Sequence, residues 1–155
     1  MSLKTLPELR AALPRSTRLI GLDPGARLVG VALSDVTLTL ASPYAALKRG
    51  KLAANAAEVA AIARKEGAGG LVVGLPLGMD GSFGPAAQAA KDWGRALADA
   101  AALDVAFWDE RLSSAAVNRA MIEADLTRAK RARAVDAAAA AYMLQAALDA
   151  SRPQP

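Results

Sequence analysis

Residues 19–34 read LIGLDPGARLVGVALS. Leu19–Asp23 predicts a short strand, Pro24–Arg27 a turn, and Leu28–Ser34 a second strand that returns beside the first. The first strand therefore ends on an aspartate, at one edge of the predicted sheet.

The next segments are predicted to form a third strand of this sheet and then a helix. Thr37–Ser42 predicts a third strand, because its leucines alternate with threonines as one buried sheet face requires. Links this short predict an antiparallel meander of three strands. Asn55 is predicted to cap a helix, with Glu58 at the third helical position returning the hydrogen bond and Gly67 ending the helix.

The second half of the chain alternates between strands and helices. Strands are predicted at Leu71–Leu75 and Asp104–Asp109, and helices from Pro85, from Ser113 or Ser114 to about Ala124, and over Ala134–Ala150. Ala86, Ala89, Ala90, Trp93 and Leu97 are expected to share the buried face of the helix that begins at Pro85. Helical crossovers make strands one, four and five parallel, with helices on both faces of an α/β sheet. In such a sheet the functional crevice lies at the carboxyl ends of the parallel strands.

Composition limits the chemistry that this chain can perform. Its 155 residues contain neither histidine nor cysteine, which excludes disulfides, thiol nucleophiles, Ser-His-Asp triads and ordinary zinc sites. A net charge of +4 suggests an anionic partner.

Length and hydropathy predict a single domain. Residues 1–17 are expected to form an N-terminal extension, and residues 151–155 a frayed tail. No uncharged run reaches the roughly 18–20 apolar residues that span a bilayer, and the N-terminus lacks the apolar stretch of a signal peptide. We therefore expect a cytoplasmic protein with no membrane partner.

Acidic residues occupy the predicted functional edge. Asp23 ends the first strand, and Asp109 and Glu110 end the fifth. Because side chains alternate along a strand, these two acids should point to opposite faces, and we expect Glu110 to serve the site. Asp136 lies in the first turn of the last predicted helix, on an apolar stripe that is expected to face the sheet.

Three carboxylates without histidine or cysteine favour Mg²⁺ or Mn²⁺ as a cofactor. Two such ions about 4 Å apart can stabilise both the attacking and the departing oxygen of a phosphodiester. Each acid also has a local explanation. Asp23 could accept hydrogen bonds in its turn, Asp136 could complement its helix dipole, and an acid next to Arg111 could form a surface ion pair.

Four blocks of sequence, in order, resemble a known family. They are Gly21–Gly25 through Gly30–Asp35, Val73–Leu77 with Met79–Ser82, Asp109–Ser114, and a weaker block of Val135-Asp136 with Tyr142–Gln145. With these blocks, residues 18–149 resemble the YqgF/RuvX family of the ribonuclease H-like superfamily, described as Holliday junction resolvases and as pre-16S rRNA nucleases. The resemblance implies a five-stranded mixed sheet in the order 3-2-1-4-5. It also implies that Asp23, Glu110 and Asp136 are the catalytic, metal-binding acids.

Basic residues near these acids are predicted to bind a nucleic-acid backbone. They are Arg27, Arg111, Arg128, Lys130, Arg131 and Arg133. The family often has a basic pair after the first glycine, of which this chain retains Arg27. Gly78–Gly84 could offer backbone N–H groups to a phosphate or could simply connect two elements. Trp93 and Trp108 are expected to belong to the core.

The foremost functional hypothesis is a metal-dependent nuclease that acts on structured nucleic acid, in 5′-end processing of pre-16S rRNA. A Holliday junction resolvase is the first alternative, and a non-catalytic RNA-binding module is another. A sugar or acetate kinase-like ATPase is a weaker alternative, because its phosphate clamp needs two such domains. The sequence leaves both a monomer and a homodimer open.

Overall fold

The computed structural model describes residues 3–78, 80–112 and 128–153, with the backbone alone at 128–132. In chain order the elements are α1 (Leu6–Ala12), β1 (Arg18–Pro24), β2 (Leu28–Ser34), β3 (Ala41–Lys48), α2 (Leu52–Glu66), β4 (Ala68–Leu75), α3 (Pro85–Ala101), β5 (Asp104–Asp109), a 3-10 turn (Glu110–Leu112) and α4 (Arg128–Ala150). The helix predicted to follow Ser113 or Ser114 lies outside the described residues.

The five strands form one mixed sheet in the predicted order, β3-β2-β1-β4-β5. β2 runs antiparallel to both β1 and β3, whereas β4 runs parallel to β1 and to β5. The carboxyl ends of β1, β3, β4 and β5 therefore all lie at one edge, which we term the carboxyl edge.

Helices cover both faces of the sheet, as the crossover pattern predicts. α2 and α3 pack against one face around residues such as Ile20 and Leu22. α1 and α4 pack against the other face around Leu19 and Val72. We term this second face the α4 face. Because side chains alternate along a strand, Gly21 and Asp23 lie on the same face of β1 as Leu19.

The predicted third strand, Thr37–Ser42, both begins and ends too early, because β3 spans Ala41–Lys48. Residues 35–40 instead form a turn around Asp35, whose carboxylate accepts hydrogen bonds from the backbone N–H groups of Thr39 at 2.8 Å and Leu40 at 3.1 Å. Leu38 adopts a left-handed conformation with φ of 56°. Local side-chain-to-backbone bonding thus overrides the alternating pattern, and pairing begins at Ala41.

The predicted start of α2 is also wrong, although its end at Gly67 is confirmed by a left-handed cap with φ of 70°. Asn55 is buried inside the helix, and Lys51 stands at the N-cap. The Asn55 amide group accepts from Gly50 N–H at 3.0 Å and donates to the Lys48 carbonyl at 3.1 Å. Its polar groups therefore fix the link between β3 and α2.

Both predicted chain ends contribute to the folded domain. The N-terminal extension contains α1, which a Thr5–Glu8 capping box begins and which buries Leu6 and Leu9. In the predicted tail, Ser151 Oγ donates to the Ala147 carbonyl at 2.6 Å. The N-terminal segment is therefore packed into the domain through Leu9, and the C-terminal segment is bonded to α4 through Ser151.

The buried face of α3 differs from the predicted one by about one position. The buried residues are Ala87, Ala90, Gly94, Leu97 and Ala98, whereas Ala86 and Ala89 are exposed. A Cβ on Gly94 would lie 2.8 Å from the Phe107 ring. The glycine therefore sets the contact between α3 and β5, which a run of alanines could not indicate.

α4 begins earlier than predicted, at Arg128, but its predicted apolar stripe is confirmed. Ala139, Ala140, Met143 and Ala147 are fully buried against the sheet. The Gln145 side chain accepts from Ala41 N–H at 2.9 Å and donates to the Thr39 carbonyl at 2.8 Å. No helix in the described parts of the chain is long and apolar enough to cross a membrane.

α4 lies unusually close to the sheet because two facing positions are glycines. A Cβ on Gly30 would collide with the carbonyl oxygen of Asp136, and a Cβ on Gly21 would lie 2.9 Å from the Leu144 Cβ. Backbone atoms cannot rotate away from such a collision. Gly30 therefore sets the height at which Asp136 sits above β2.

Gly30→Ala should lower the free energy of unfolding by about 1–3 kcal/mol, because α4 must move off β2. Gly50→Ala is the matched control, since a Cβ there meets nothing within 4 Å. Urea unfolding followed by circular dichroism measures both. Equal stability of the two variants would contradict the close approach.

Candidate active site

Asp23 ends β1 at the carboxyl edge and is only 3% exposed. It pairs with Gly30 on β2, the residue on which the Asp136 backbone rests. Burial of a carboxylate is costly unless hydrogen-bond donors or a cation stabilise its charge. This position therefore suits an acid with a defined role.

Glu110 follows β5 and folds back over β4. A Cβ built on Gly74 would lie 2.5 Å from Glu110 Oε1, so the Glu110 side chain occupies the space that a larger residue would fill. Gly74 comes one residue after Val73, which pairs with Leu22 on β1. Gly74 is therefore the neighbour of Asp23 on the next strand, about 4.8 Å away.

Asp136 approaches from α4. Its backbone lies over Gly30, and its Oδ1 would be 3.9 Å from a Cβ built on Gly25 in the β1–β2 turn. The side chain is partly exposed. Glu110, Asp23 and Asp136 thus follow one row across the α4 face, above β4, β1 and β2 in turn.

This row has the donor chemistry that Mg²⁺ or Mn²⁺ requires. Its three carboxylates come from separate elements, and the chain has no histidine or cysteine to favour a softer metal. As the side chains stand, no three acids within the described residues are close enough to form a complete ligand set. In their donor chemistry, which is oxygen only, the three carboxylates nevertheless fit such an ion.

Asp109 and Glu110 have different surroundings. Asp109 binds Arg111 through its carboxylate, with Oδ2 2.5 Å from Nη2 and both oxygens 3.0 Å from Nε. The Arg111 guanidinium lowers the pKa of Asp109 below its usual value. Asp109 therefore forms the local ion pair, whereas the Glu110 side chain lies over Gly74.

Arg111 joins the end of β5 to the loop that follows β4. Its guanidinium nitrogens would lie 3.5 Å from a Cβ on Gly81, which has a φ of 85°. The hydrogen bond to Asp109 raises the pKa of Arg111. Since Asp109 already compensates much of its charge, Arg111 contributes more to local structure than the sequence suggests.

The Gly78–Gly84 loop uses several backbone donors internally. Gly78 N–H donates to the Ser82 carbonyl at 3.0 Å, Gly81 N–H to the Gly78 carbonyl at 2.8 Å, and Ser82 N–H to Asp80 Oδ1 at 2.9 Å. Met79 lies outside the described residues. These three N–H groups favour the connector interpretation over a phosphate cradle.

Two other predicted substrate-binding residues, Arg27 and Arg133, lie on the β2 and β3 side. Arg27 is exposed in the β1–β2 turn, and Arg133 is exposed on α4, with Nη1 3.4 Å from the Ala46 carbonyl on β3. Arg128, Lys130 and Arg131 belong to the first turn of α4, and their side chains lie outside the described residues.

Arg49 is a contact residue that the sequence did not identify. Its Nη1 donates to the Gly25 carbonyl at 2.8 Å, and its guanidinium carbon lies 5.2 Å from the centre of the Trp93 ring. Its backbone N–H donates to the Arg27 carbonyl at 2.8 Å. Arg49 thus supports the turn next to Asp23. The run Lys48-Arg49-Gly50-Lys51 is the sequence signal that could have indicated it.

The sheet order, with acids along the carboxyl edge, defines a ribonuclease H-like fold. A solved structure shares this fold: "T. thermophilus RuvC in complex with Holliday junction substrate" aligns with a TM-score of 0.55 at 16% identity, over 90% of this chain and 99% of that one. At this identity the likeness concerns the fold.

Sequence comparison identifies the family. The family model RuvX, described as Holliday junction resolvase, matches residues 17–150. A protein of Acidiphilium cryptum (strain JF-5) is 66% identical over 149 residues, covering 96% of this chain and 94% of that protein. One of Gluconacetobacter diazotrophicus is 60% identical over 152 residues, covering 97% and 99%. Both are named "Putative pre-16S rRNA nuclease". The chain belongs to the RuvX (YqgF) family.

Arg111→Gln should raise the pKa of Asp109 toward the ordinary value of about 3.9, because the guanidinium no longer stabilises the carboxylate. In the wild type, any stability from this pair is present above that value and is lost as the pH falls through the lower folded pKa. Carboxyl ¹³C NMR titration measures the change. Arg95→Gln, at an exposed position, is the control. An unchanged Asp109 pKa in Arg111→Gln would contradict the conclusion that Arg111 lowers that pKa.

Proposed function

We propose that the protein is a metal-dependent nuclease that processes the 5′ end of pre-16S rRNA. The observation that carries the proposal is the row of Glu110, Asp23 and Asp136 on one face of the carboxyl edge. Membership of a nuclease family supports the reaction class. The names of the relatives support the substrate, and such a substrate would place the protein in the cytoplasm.

Asp23, Glu110 and Asp136 would hold Mg²⁺ or Mn²⁺. When bound, such ions polarise a phosphodiester and help to generate the attacking hydroxide. The chain's own contribution is orientation. Burial limits the movement of Asp23, Gly30 fixes the height of Asp136, and Gly74 leaves space for the Glu110 carboxylate.

Basic side chains would hold the substrate backbone. Arg27 and Arg133 are exposed near the acids, and Arg128, Lys130 and Arg131 would add charge from the start of α4. Arg111 would act mainly by holding the loop around Gly81. Binding through phosphates is independent of base sequence and weakens with salt.

A Holliday junction resolvase is the second candidate. The description of the RuvX family model favours it. A resolvase cuts two strands symmetrically and would require a homodimer, whereas trimming one RNA end would not. A non-catalytic RNA-binding module would bind without cutting under any metal. A kinase-like ATPase would have to bind ATP tightly with this single domain, although the phosphate clamp of that class needs two.

Asp23→Asn, Glu110→Gln and Asp136→Asn should each slow cleavage by at least about 100-fold, because loss of even a second-shell metal partner costs about 10–100-fold. The assay compares a labelled pre-16S 5′ leader with a four-way DNA junction, in Mg²⁺, Mn²⁺ or EDTA. Asp149→Asn is the matched control, since it makes the same change on α4, about 20 Å farther along the helix. Wild-type cleavage by Asp23→Asn would refute the proposal, and faster cutting of the junction would favour the resolvase.

Gly74→Ala should slow cleavage and leave the fold intact. The new methyl group would lie 2.5 Å from Glu110 Oε1, and a flexible carboxylate can move away at little cost to stability. Parallel measurements of cleavage rate and thermal unfolding test this expectation. Gly84→Ala, where a Cβ meets nothing within 4 Å, is the control. A fully active Gly74→Ala would show that the position of Glu110 does not matter.

A further inference from the structure

Residues 48–51, Lys-Arg-Gly-Lys, lie where β3 ends and α2 begins. β3 runs parallel to β1, because both are antiparallel to β2. The segment therefore lies at the carboxyl edge, the same edge as Asp23. Neither lysine is among the basic residues predicted from sequence to bind the substrate.

Sheet register relates this segment to the acids. Asp23 pairs with Gly30 and Gly30 with Ala46, so Ala46 lies two strand spacings, or about 10 Å, from Asp23. Lys48 comes two residues later and pairs with Leu28. Arg133 reaches the Ala46 carbonyl from α4. The basic groups thus continue outward from the row of acids.

The three basic side chains of this segment have different surroundings: Arg49 has contacts within the protein, whereas Lys48 and Lys51 are exposed. Arg49 is partly buried and bound to the Gly25 carbonyl and the Trp93 ring. Lys48 and Lys51 are exposed, and within the described parts of the chain neither forms an ion pair. Their charges are therefore available to a ligand.

The surroundings hold this charge in place. Asn55 bonds to Gly50 N–H and to the Lys48 carbonyl, which fixes the backbone of the segment. The first turn of α2 contains no acidic residue, so its dipole adds to the positive potential. The Glu58 carboxylate accepts a hydrogen bond from Asn55 at 2.9 Å.

The basic group at the end of β5 is already paired with acids. On the β5 side, Arg111 is bound to Asp109 and lies near Asp80. On the β3 side, the exposed basic residues near the carboxyl edge are Lys48, Lys51, Arg27 and Arg133. Their charges attract a polyanion toward β3.

We propose that Lys48 and Lys51, with Arg27 and Arg133, form a phosphate-binding tract for the sugar–phosphate backbone of the substrate. The inference rests on the proposed nuclease function and gives the substrate a direction, from the acids toward β3. At about 3.4 Å per nucleotide along a duplex, 10 Å corresponds to about three nucleotides from the reacting bond. Ammonium groups act there as point charges and do not select bases.

The test compares Lys48→Gln/Lys51→Gln with Arg64→Gln/Lys65→Gln. The control removes the same charge from exposed residues at the far end of the same helix. Binding of a fluorescein-labelled pre-16S leader hairpin and of a four-way DNA junction is measured by anisotropy in EDTA, from 50 to 200 mM KCl. Thermal unfolding verifies that both variants are folded.

The Lys48/Lys51 variant should bind more weakly, with a salt slope smaller by about 1.8, or about 0.9 for each lost phosphate contact on a duplex. The control should retain the wild-type slope. An effect on one probe alone identifies which nucleic acid uses the tract. A wild-type slope for the lysine variant on both probes, or an equal loss in the control, would overturn the inference.

A cleavage assay with the same probes distinguishes failure of the phosphate-binding tract from failure of the nuclease proposal. If the wild type cuts and the lysine variant keeps its salt slope, the nuclease proposal stands and the tract is refuted. If the wild type cuts neither probe in Mg²⁺ or Mn²⁺ but the slope falls as expected, the tract is supported and the nuclease proposal fails.

Discussion

The candidate site depends on how closely α4 packs against the sheet. At Gly30 the helix backbone rests on β2 without an intervening side chain, and at Gly21 the sheet accommodates Leu144 in the same way. The contact at Gly30 places the Asp136 backbone over the β2 residue that pairs with the buried Asp23. The farther end of the helix is held by Gln145, which bonds to the backbone on both sides of Leu40. Packing and polar contacts therefore fix one helix along its length.

Much of the sheet could be predicted from sequence because its signals are local. Apolar runs marked the strands, short links implied the meander, and strand ends placed Asp23 and Glu110 at one edge. The failures arose where a distant or competing contact decided the outcome. Asp35 draws the backbone into a turn in spite of an alternating pattern, and Asn55 serves the β3–α2 link from inside the helix.

The sequence indicated the candidate acids more readily than the residues that position them. Carboxylates are few, and their placement follows from strand order. The need for glycine at positions 30 and 74 arises from elements distant in sequence, and so does the contact between Arg49 and the Gly25 carbonyl. Arg111 was predicted from sequence to bind the substrate, but in the structure it is paired with Asp109. Charge in a sequence does not show whether a neighbour has already compensated it.

The chain order of these elements has a consequence for protein synthesis. β1, β2 and β4 all precede α4, which covers the face that carries Asp23 and supplies Asp136. A nascent chain whose ribosome has not yet released α4 leaves that face without its main cover and lacks the third acid. The three acids can therefore come together only once α4 has left the ribosome.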